Sequence, residues 1–157
     1  MLKKILLVGI FMFLGNFVMA ESDVVDAKAA EMLQTIKGLR NDIYVSLDLT
    51  PEQVVQIDEL DSALYAELEP EIKKIAGMTQ KLEDIANSDN CTKEAVFAVK
   101  KEFKTVEKDM NCIYKKYAKN FKTVLTSRQK SKYRQARNAK QAEIKQEIKR
   151  LRAEQKL

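Results

Sequence analysis

Residues that break helices are almost absent from this sequence after its first twenty positions. Beyond residue 20 the only glycines are Gly38 and Gly77, and the only prolines are Pro51 and Pro70. A chain rich in Ala, Glu, Lys, Leu and Gln with so few turn formers favours long helices over strands. We therefore predict an all-α fold.

The N-terminus has the pattern of a secretory signal peptide. Lys3 and Lys4 precede the apolar run 5–14, and small residues lead up to Ala20. The run is too short to cross a membrane, which takes about 20 residues. We predict that 1–20 is a signal peptide cleaved after Ala20, which leaves a chain without a membrane span; an uncleaved N-terminal anchor is the alternative.

The remaining residues, 21–157, suit a single domain of four helices. Apolar residues at spacings of three and four predict a helix that ends near Leu47 and others over about 51–86, about 92–124 and from about 127 onward. The polar stretch 87–90 predicts the break between the second and third helices. Pro70 predicts a kink in the second helix. The stretch from about 136 to 157 is polar, and we expect it to fray. At 1.5 Å per residue the two long helices reach about 50 Å each, so the domain is elongated, bent or paired with another copy.

The third helix carries the most regular pattern. Apolar residues repeat every seven positions over four heptads, as in a coiled coil, and Asn120 interrupts one of the two series. Such a seam looks too long for one small chain to cover, so we predict that it forms the interface of a homodimer. Its members are Val96, Val99, Phe103, Val106, Met110 and Ile113.

Charge is distributed unevenly along the chain. Residues 21–90 hold 16 acidic and 6 basic side chains, whereas 91–157 hold 7 acidic and 20 basic ones. The two halves can attract each other in a dimer, form a basic face for acidic partners, or be ordinary solvated helix surface. We expect no nucleic-acid partner, because the predicted export removes the chain from cytoplasmic nucleic acid.

Two identical short motifs lie 76 residues apart: residues 49–53 and residues 125–129 both read Leu-Thr-x-x-Gln. In each, the Thr is placed to cap a helix N-terminus, and the Gln three residues later can return a hydrogen bond to the Thr, which is a capping box. The preceding Leu can pack back onto the helix. The motif residues are Leu49, Thr50, Gln53, Leu125, Thr126 and Gln129.

Twin motifs of this kind in an exported all-helical chain resemble the Spy/CpxP family of periplasmic stress chaperones. The resemblance implies a thin, bent, cradle-like helical dimer in the periplasm. It also implies ATP-independent holding of unfolded or misfolded envelope proteins on a basic, partly apolar surface. The matching client-binding residues in this sequence are Tyr114, Lys115, Lys116, Lys119, Phe121 and Lys122. Tyr117 lies among them but fits the seam better.

The same residues bear on other classes of protein. The chain has no His, no Gly-rich phosphate loop and no Ser beside a base, so we expect no enzyme and no cofactor. A signalling adaptor on a sensor kinase is an alternative, as is a metal-responsive protein like ZraP or CnrX, although those sites use His and two Cys are too few for a closed zinc site. A Skp-like holdase would need strands that the sequence does not predict.

The two cysteines, Cys91 and Cys112, raise the question of a disulfide in an exported protein. If the residues between them stay helical, they lie about 31 Å apart along the axis, far beyond the 7 Å or so that a disulfide spans. The alternatives are an interchain bridge between antiparallel third helices, two separate thiols, or a break in the third helix.

Overall fold

The structure, a computed structural model, describes residues 21–88 and 92–154. Within these residues the chain is all-α and has no strand. Helix α1 spans Glu21–Tyr44 and continues as the 3₁₀ turn Val45–Leu47, α2 spans Pro51–Asn87, α3 spans Lys93–Val124 and α4 spans Ser127–Glu154. The predicted signal peptide lies outside the described residues.

The helix ends follow the local capping signals. Thr50 precedes α2, with Pro51 in the first turn, and Thr92 caps α3 by accepting a hydrogen bond from the backbone N–H of Ala95 (3.2 Å). Helix α2 ends at Asn87, in the predicted break. It continues through Pro70, whose side chain is exposed. The carbonyl that this proline leaves without a donor belongs to the exposed Ala66, where water can reach it.

The helices are arranged antiparallel to their neighbours. Ion pairs between Glu67 and Lys116 and between Lys81 and Glu102 show the register of α3 along α2. On its other side α2 packs against α1, where Lys28 pairs with Glu83 (2.7 Å). Helix α4 packs against the 3₁₀ turn and the end of α1. It is helical to Glu154, so most of the tail predicted to fray belongs to a regular helix.

One hydrophobic core joins these elements. Helix α1 contributes Met32 and Ile36 to this core. The connections between helices contribute Leu47, which is 0% exposed, and Leu125, which is 3% exposed. The central helices supply the rest: Ile57, Leu64, Leu68, Ile72 and Ile75 from α2, and Val99, Phe103, Val106, Met110, Tyr117 and Phe121 from α3.

The seam of α3 is covered inside the single chain, so the inference that a second copy must cover it is wrong. Val99, Phe103, Val106 and Met110 are all buried, and Val96 and Ile113 are partly buried. Helix α2 has 37 residues and α3 has 32, so α2 reaches along the whole seam. The homodimer itself stays a prediction for sedimentation to test, but Phe103→Glu would now unfold a monomer rather than split a dimer.

Helix α3 runs without a break from Lys93 to Cys112 and beyond, which bears on the cysteines. Thr92 and Cys112 are 20 residues apart, or about 30 Å along the helix, and Cys91 is bonded to Thr92. Cys112 is exposed and free, and Cys91 lies outside the described residues.

We therefore predict no intrachain disulfide in the native protein. Alkylation on lysis followed by non-reducing electrophoresis should show either a monomer with Cys112 modified, or a dimer band that Cys112→Ser removes. A monomer in which neither Cys91 nor Cys112 reacts would contradict the unbroken helix.

Candidate functional site

Both Leu-Thr-x-x-Gln motifs form the predicted capping boxes. At the start of α2, the backbone N–H of Gln53 donates to Oγ1 of Thr50 (3.3 Å), and the N–H of Thr50 donates to Oε1 of Gln53 (3.1 Å). At the start of α4, the N–H of Gln129 donates to Oγ1 of Thr126 (3.3 Å), and the N–H of Thr126 donates to Oε1 of Gln129 (2.9 Å). Each box satisfies two backbone donors that a helix start leaves free.

The two motifs also bind each other, a contact that the sequence does not predict. Nε2 of Gln53 donates to Oε1 of Gln129 (2.9 Å), and Nε2 of Gln129 donates to Oε1 of Gln53 (2.8 Å). The second N–H of Gln53 reaches the carbonyl of Val124 (2.8 Å), and that of Gln129 reaches the carbonyl of Asp48 (3.2 Å). Val124 and Asp48 both precede the Leu of their motif. We call this locally symmetric arrangement of Gln53 and Gln129 the glutamine clasp.

The clasp explains why the third helical position is Gln. A capping box accepts Glu or Gln equally, because only the side-chain oxygen is used. Here both amide N–H groups are used as well, and a carboxylate has none to give. The clasp fixes the start of α2 beside the end of α3 and the start of α4.

We predict that Gln53→Glu and Gln129→Glu will each lower the free energy of unfolding by about 1–3 kcal/mol, although each variant keeps an intact capping box. In each variant a carboxylate would lie against the carbonyl and amide oxygens that now accept hydrogen bonds from the Gln side chain, and it would repel them. Thr50→Ala and Thr126→Ala, which remove the caps, should cost about 1 kcal/mol.

Urea unfolding measures these losses, and Gln56→Glu, on the exposed face of α2, is the matched control. The clasp variants should recover part of their stability below about pH 4, where a protonated Glu can donate again. Equal losses in Gln56→Glu and Gln53→Glu would show that the amide donors do not matter.

The turn before α2 is held to α4. Asp48 has φ 50°, in the left-handed region that Asp tolerates better than most residues. Its carboxylate pairs with Lys132, and this hydrogen bond, with the charge of Lys132, lowers the pKa of the Asp48 carboxyl. The turn is thus held through both the backbone and the side chain of one residue.

A layer of aromatic rings lies behind the clasp. Phe121 of α3 is 1% exposed, and its ring centroid lies 5.5 Å from those of Tyr44 and Tyr117 and 5.0 Å from that of Tyr133. These rings come from α1, α3 and α4. Phe121 was predicted to contact clients, and that prediction is wrong because the side chain is enclosed by its own chain.

Next to these rings lies a buried ion pair. Nη2 of Arg40 lies 2.7 Å from Oδ1 of Asp61, and their side chains are 14% and 12% exposed. Tyr44 donates to the same carboxylate oxygen (3.1 Å), and Tyr65 donates to the other (3.3 Å). The guanidinium also lies over the ring of Tyr117, at 4.2 Å from its centroid, which is a cation–π contact.

The pKa values in this cluster follow from burial and charge. Burial raises the pKa of Tyr65 and of Tyr114 to about 12 each, although the charge of Arg40 opposes the rise. Burial also works to lower the pKa of Arg40, but Tyr44, Tyr117 and Asp61 outweigh it and raise that pKa. Because the phenol pKa values are raised on folding, their contribution to stability is complete below pH 10 and is lost as the pH rises toward 12.

The predicted client-binding residues divide into exposed and enclosed ones. Lys115, Lys119 and Lys122 are exposed on the outer side of α3, while Lys116 pairs with Glu67. Tyr114 packs against the core, and its hydroxyl is buried and has no hydrogen-bond partner. The basic part of the prediction is therefore accessible, whereas the aromatic part is not.

Three apolar side chains for which the sequence predicts no role in binding are exposed near the clasp. Val45 is 77% exposed, Val55 59% and Val54 41%. Val54 and Val55 directly follow Gln53, whose side chain is bonded to the end of α3. These valines therefore lie at the same end of the molecule as Lys119 and Lys122, and we call the five residues the clasp-end surface. Exposed β-branched residues in the first turn of a helix that is otherwise regularly amphipathic are the signal that could have revealed them.

The uneven charge is partly balanced within the chain. Lys132 and Lys140 of α4 pair with Asp48 and Asp42, and Lys116 of α3 pairs with Glu67. Attraction between acidic and basic halves therefore operates inside one chain.

Comparison with known proteins returned no match: no protein-family model, no curated protein and no solved structure is similar to this chain. Within the described part, no helix is long and apolar enough to cross a membrane. No three His, Cys, Asp or Glu side chains among residues 21–88 and 92–154 are grouped to hold a metal ion.

Proposed function

We propose that this chain is an exported, ATP-independent chaperone of the Spy/CpxP type that holds unfolded or misfolded envelope proteins in the periplasm. The twin Leu-Thr-x-x-Gln motif, whose two copies bind each other in the glutamine clasp, is the observation that carries the proposal. The clasp supports the proposal because the two motif copies hold distant helices together and are therefore more than a chance pair of helix caps.

The clasp-end surface suits a holding function. Lys119 and Lys122 supply long-range attraction, and Val45, Val54 and Val55 supply small apolar contacts. Side chains of this kind bind many unfolded segments weakly, because they impose no fixed geometry on the client. A signalling adaptor on a sensor kinase could use the same surface, and it is the alternative that the experiment has to separate.

The test is an aggregation assay with residues 21–157 and an unrelated protein diluted from denaturant, without ATP. The chain should keep the client soluble. Lys115→Gln/Lys119→Gln/Lys122→Gln and Val54→Ser/Val55→Ser should weaken this holding.

The matched control for charge is Arg134→Gln/Lys145→Gln/Lys149→Gln. It removes three positive charges from exposed positions of α4 and should hold clients as the original chain does. If the unchanged chain does not delay aggregation, the chaperone proposal is contradicted. A signalling adaptor on a sensor kinase would then be the better hypothesis.

A further inference from the structure

The outer face of α3 carries a row of six lysines in two groups of three. Their spacings of three, four and seven residues place them on one side of the helix, opposite the core positions Phe103 and Met110. All six are exposed: Lys101, Lys104, Lys108, Lys115, Lys119 and Lys122.

None of the six forms an ion pair or a side-chain hydrogen bond with any described residue, in contrast to several of the other lysines. Lys28, Lys73 and Lys81, for example, each pair with a carboxylate. Within the row, lysines three and four residues apart lie next to one another and repel. Lys122 favours the C-terminal end of α3, but the row forms no ion pair with a described residue that would stabilise the fold, which points to a partner outside the chain.

An exposed aromatic side chain continues the same face. Phe97 lies one turn before Lys101, and it is 67% exposed. Clusters of lysines on a helix are attracted to a surface of anionic lipids, and a neighbouring aromatic ring adds apolar contact at the headgroup level. We call Phe97, Lys101, Lys104 and Lys108 the distal lysine face.

We propose that the distal lysine face docks the protein onto a phospholipid surface with net negative charge. From Phe97 to Lys122 the row that contains this face extends about 38 Å along one unbroken helix, so its cations can contact one plane together. All six cations are Lys and none is Arg. Lys is a flexible point charge that can follow mobile lipid phosphates, whereas the planar fork of Arg suits phosphate or carboxylate groups that are held in a fixed geometry. This inference does not depend on the proposed chaperone function.

The experiment uses the chain from Glu21 to Leu157, the expected product of signal removal, with sedimented vesicles. One set contains equal parts of phosphatidylglycerol and phosphatidylcholine, and the other contains phosphatidylcholine alone. The chain should bind the anionic vesicles at low salt and lose binding as salt rises, because charges near a surface are screened.

Lys101→Gln/Lys104→Gln/Lys108→Gln should weaken this binding about 100-fold, at roughly 5-fold for each lysine near a charged surface. Phe97→Ser should weaken it roughly 10-fold, with less dependence on salt. The matched control Arg134→Gln/Lys145→Gln/Lys149→Gln should change it less than about 3-fold. The lysine variant of the distal face should still hold clients, so failure of one proposal can be told from failure of the other.

Three results would overturn the inference. The first is equal binding to neutral and anionic vesicles. The second is an equal loss in the α4 control, which would mean that net charge alone is responsible. The third is binding to polyglutamate but not to vesicles, which would make the face a site for acidic polypeptides.

Discussion

Arg40→Met should lower the free energy of unfolding by about 3–5 kcal/mol, because it leaves the carboxylate of Asp61 buried without its counter-charge. As a whole residue Asp61 is 8% exposed, and the hydroxyls of Tyr44 and Tyr65 would be its remaining donors. Asp61→Leu should cost a similar amount, since it leaves the guanidinium of Arg40 unpaired between aromatic rings.

The double variant Arg40→Met/Asp61→Leu should recover much of this loss, because an apolar pair of similar volume often replaces a buried ion pair at little cost. Urea unfolding of the two single variants and the double variant gives the coupling energy. The exposed pair of Lys116 and Glu67 also links two helices, and Lys116→Met should cost at most about 1 kcal/mol. Similar losses in Arg40→Met and Lys116→Met would mean that burial does not strengthen the Arg40–Asp61 pair.

Helix boundaries could be predicted closely because their signals are local. Thr50 with Pro51, and Thr126 with Gln129, specify helix starts through atoms a few residues apart. The break near Asn87 is equally local. Each of these signals acts through the backbone next to it, so no knowledge of the tertiary fold was needed.

Contacts between distant elements could not be predicted in the same way. A heptad pattern shows which face of α3 is buried, but it does not say whether α2 or a second copy covers it. The pairing of Gln53 with Gln129 likewise needs the two helix starts to be adjacent, and a capping box is complete without that.

The misplacement of Phe121 has a geometric cause. A straight α-helix drifts by about 20° per heptad relative to a 3.5-residue repeat. Over four heptads the buried position therefore moves, and at the end of α3 Phe121 is buried while Asn120 is exposed. A strict seven-residue repeat places Asn120 in the seam and Phe121 on the surface. The same reading was correct at Phe103 and Met110, in the earlier heptads.

Phe121→Ala should lower the free energy of unfolding by about 3–5 kcal/mol, the cost of removing a fully buried ring from a packed core. The cavity would open between α1, α3 and α4, because Tyr44, Tyr117 and Tyr133 all contact this ring. Near-ultraviolet circular dichroism should therefore lose tyrosine signal before the helices melt. Phe97→Ala is the matched control on the same helix, and at 67% exposure it should change stability by no more than about 0.5 kcal/mol.

A smaller change at the same position separates a core role from a client-binding role for Phe121. Phe121→Leu keeps most of the buried volume and should cost about 1–2 kcal/mol, so it stays folded at the temperature of the aggregation assay. If Phe121 serves the core, Phe121→Leu will hold clients as well as the original chain does once both are shown to be folded. Reduced holding by a fully folded Phe121→Leu, with unchanged stability in Phe121→Ala, would mean that the ring contacts clients and not its own chain.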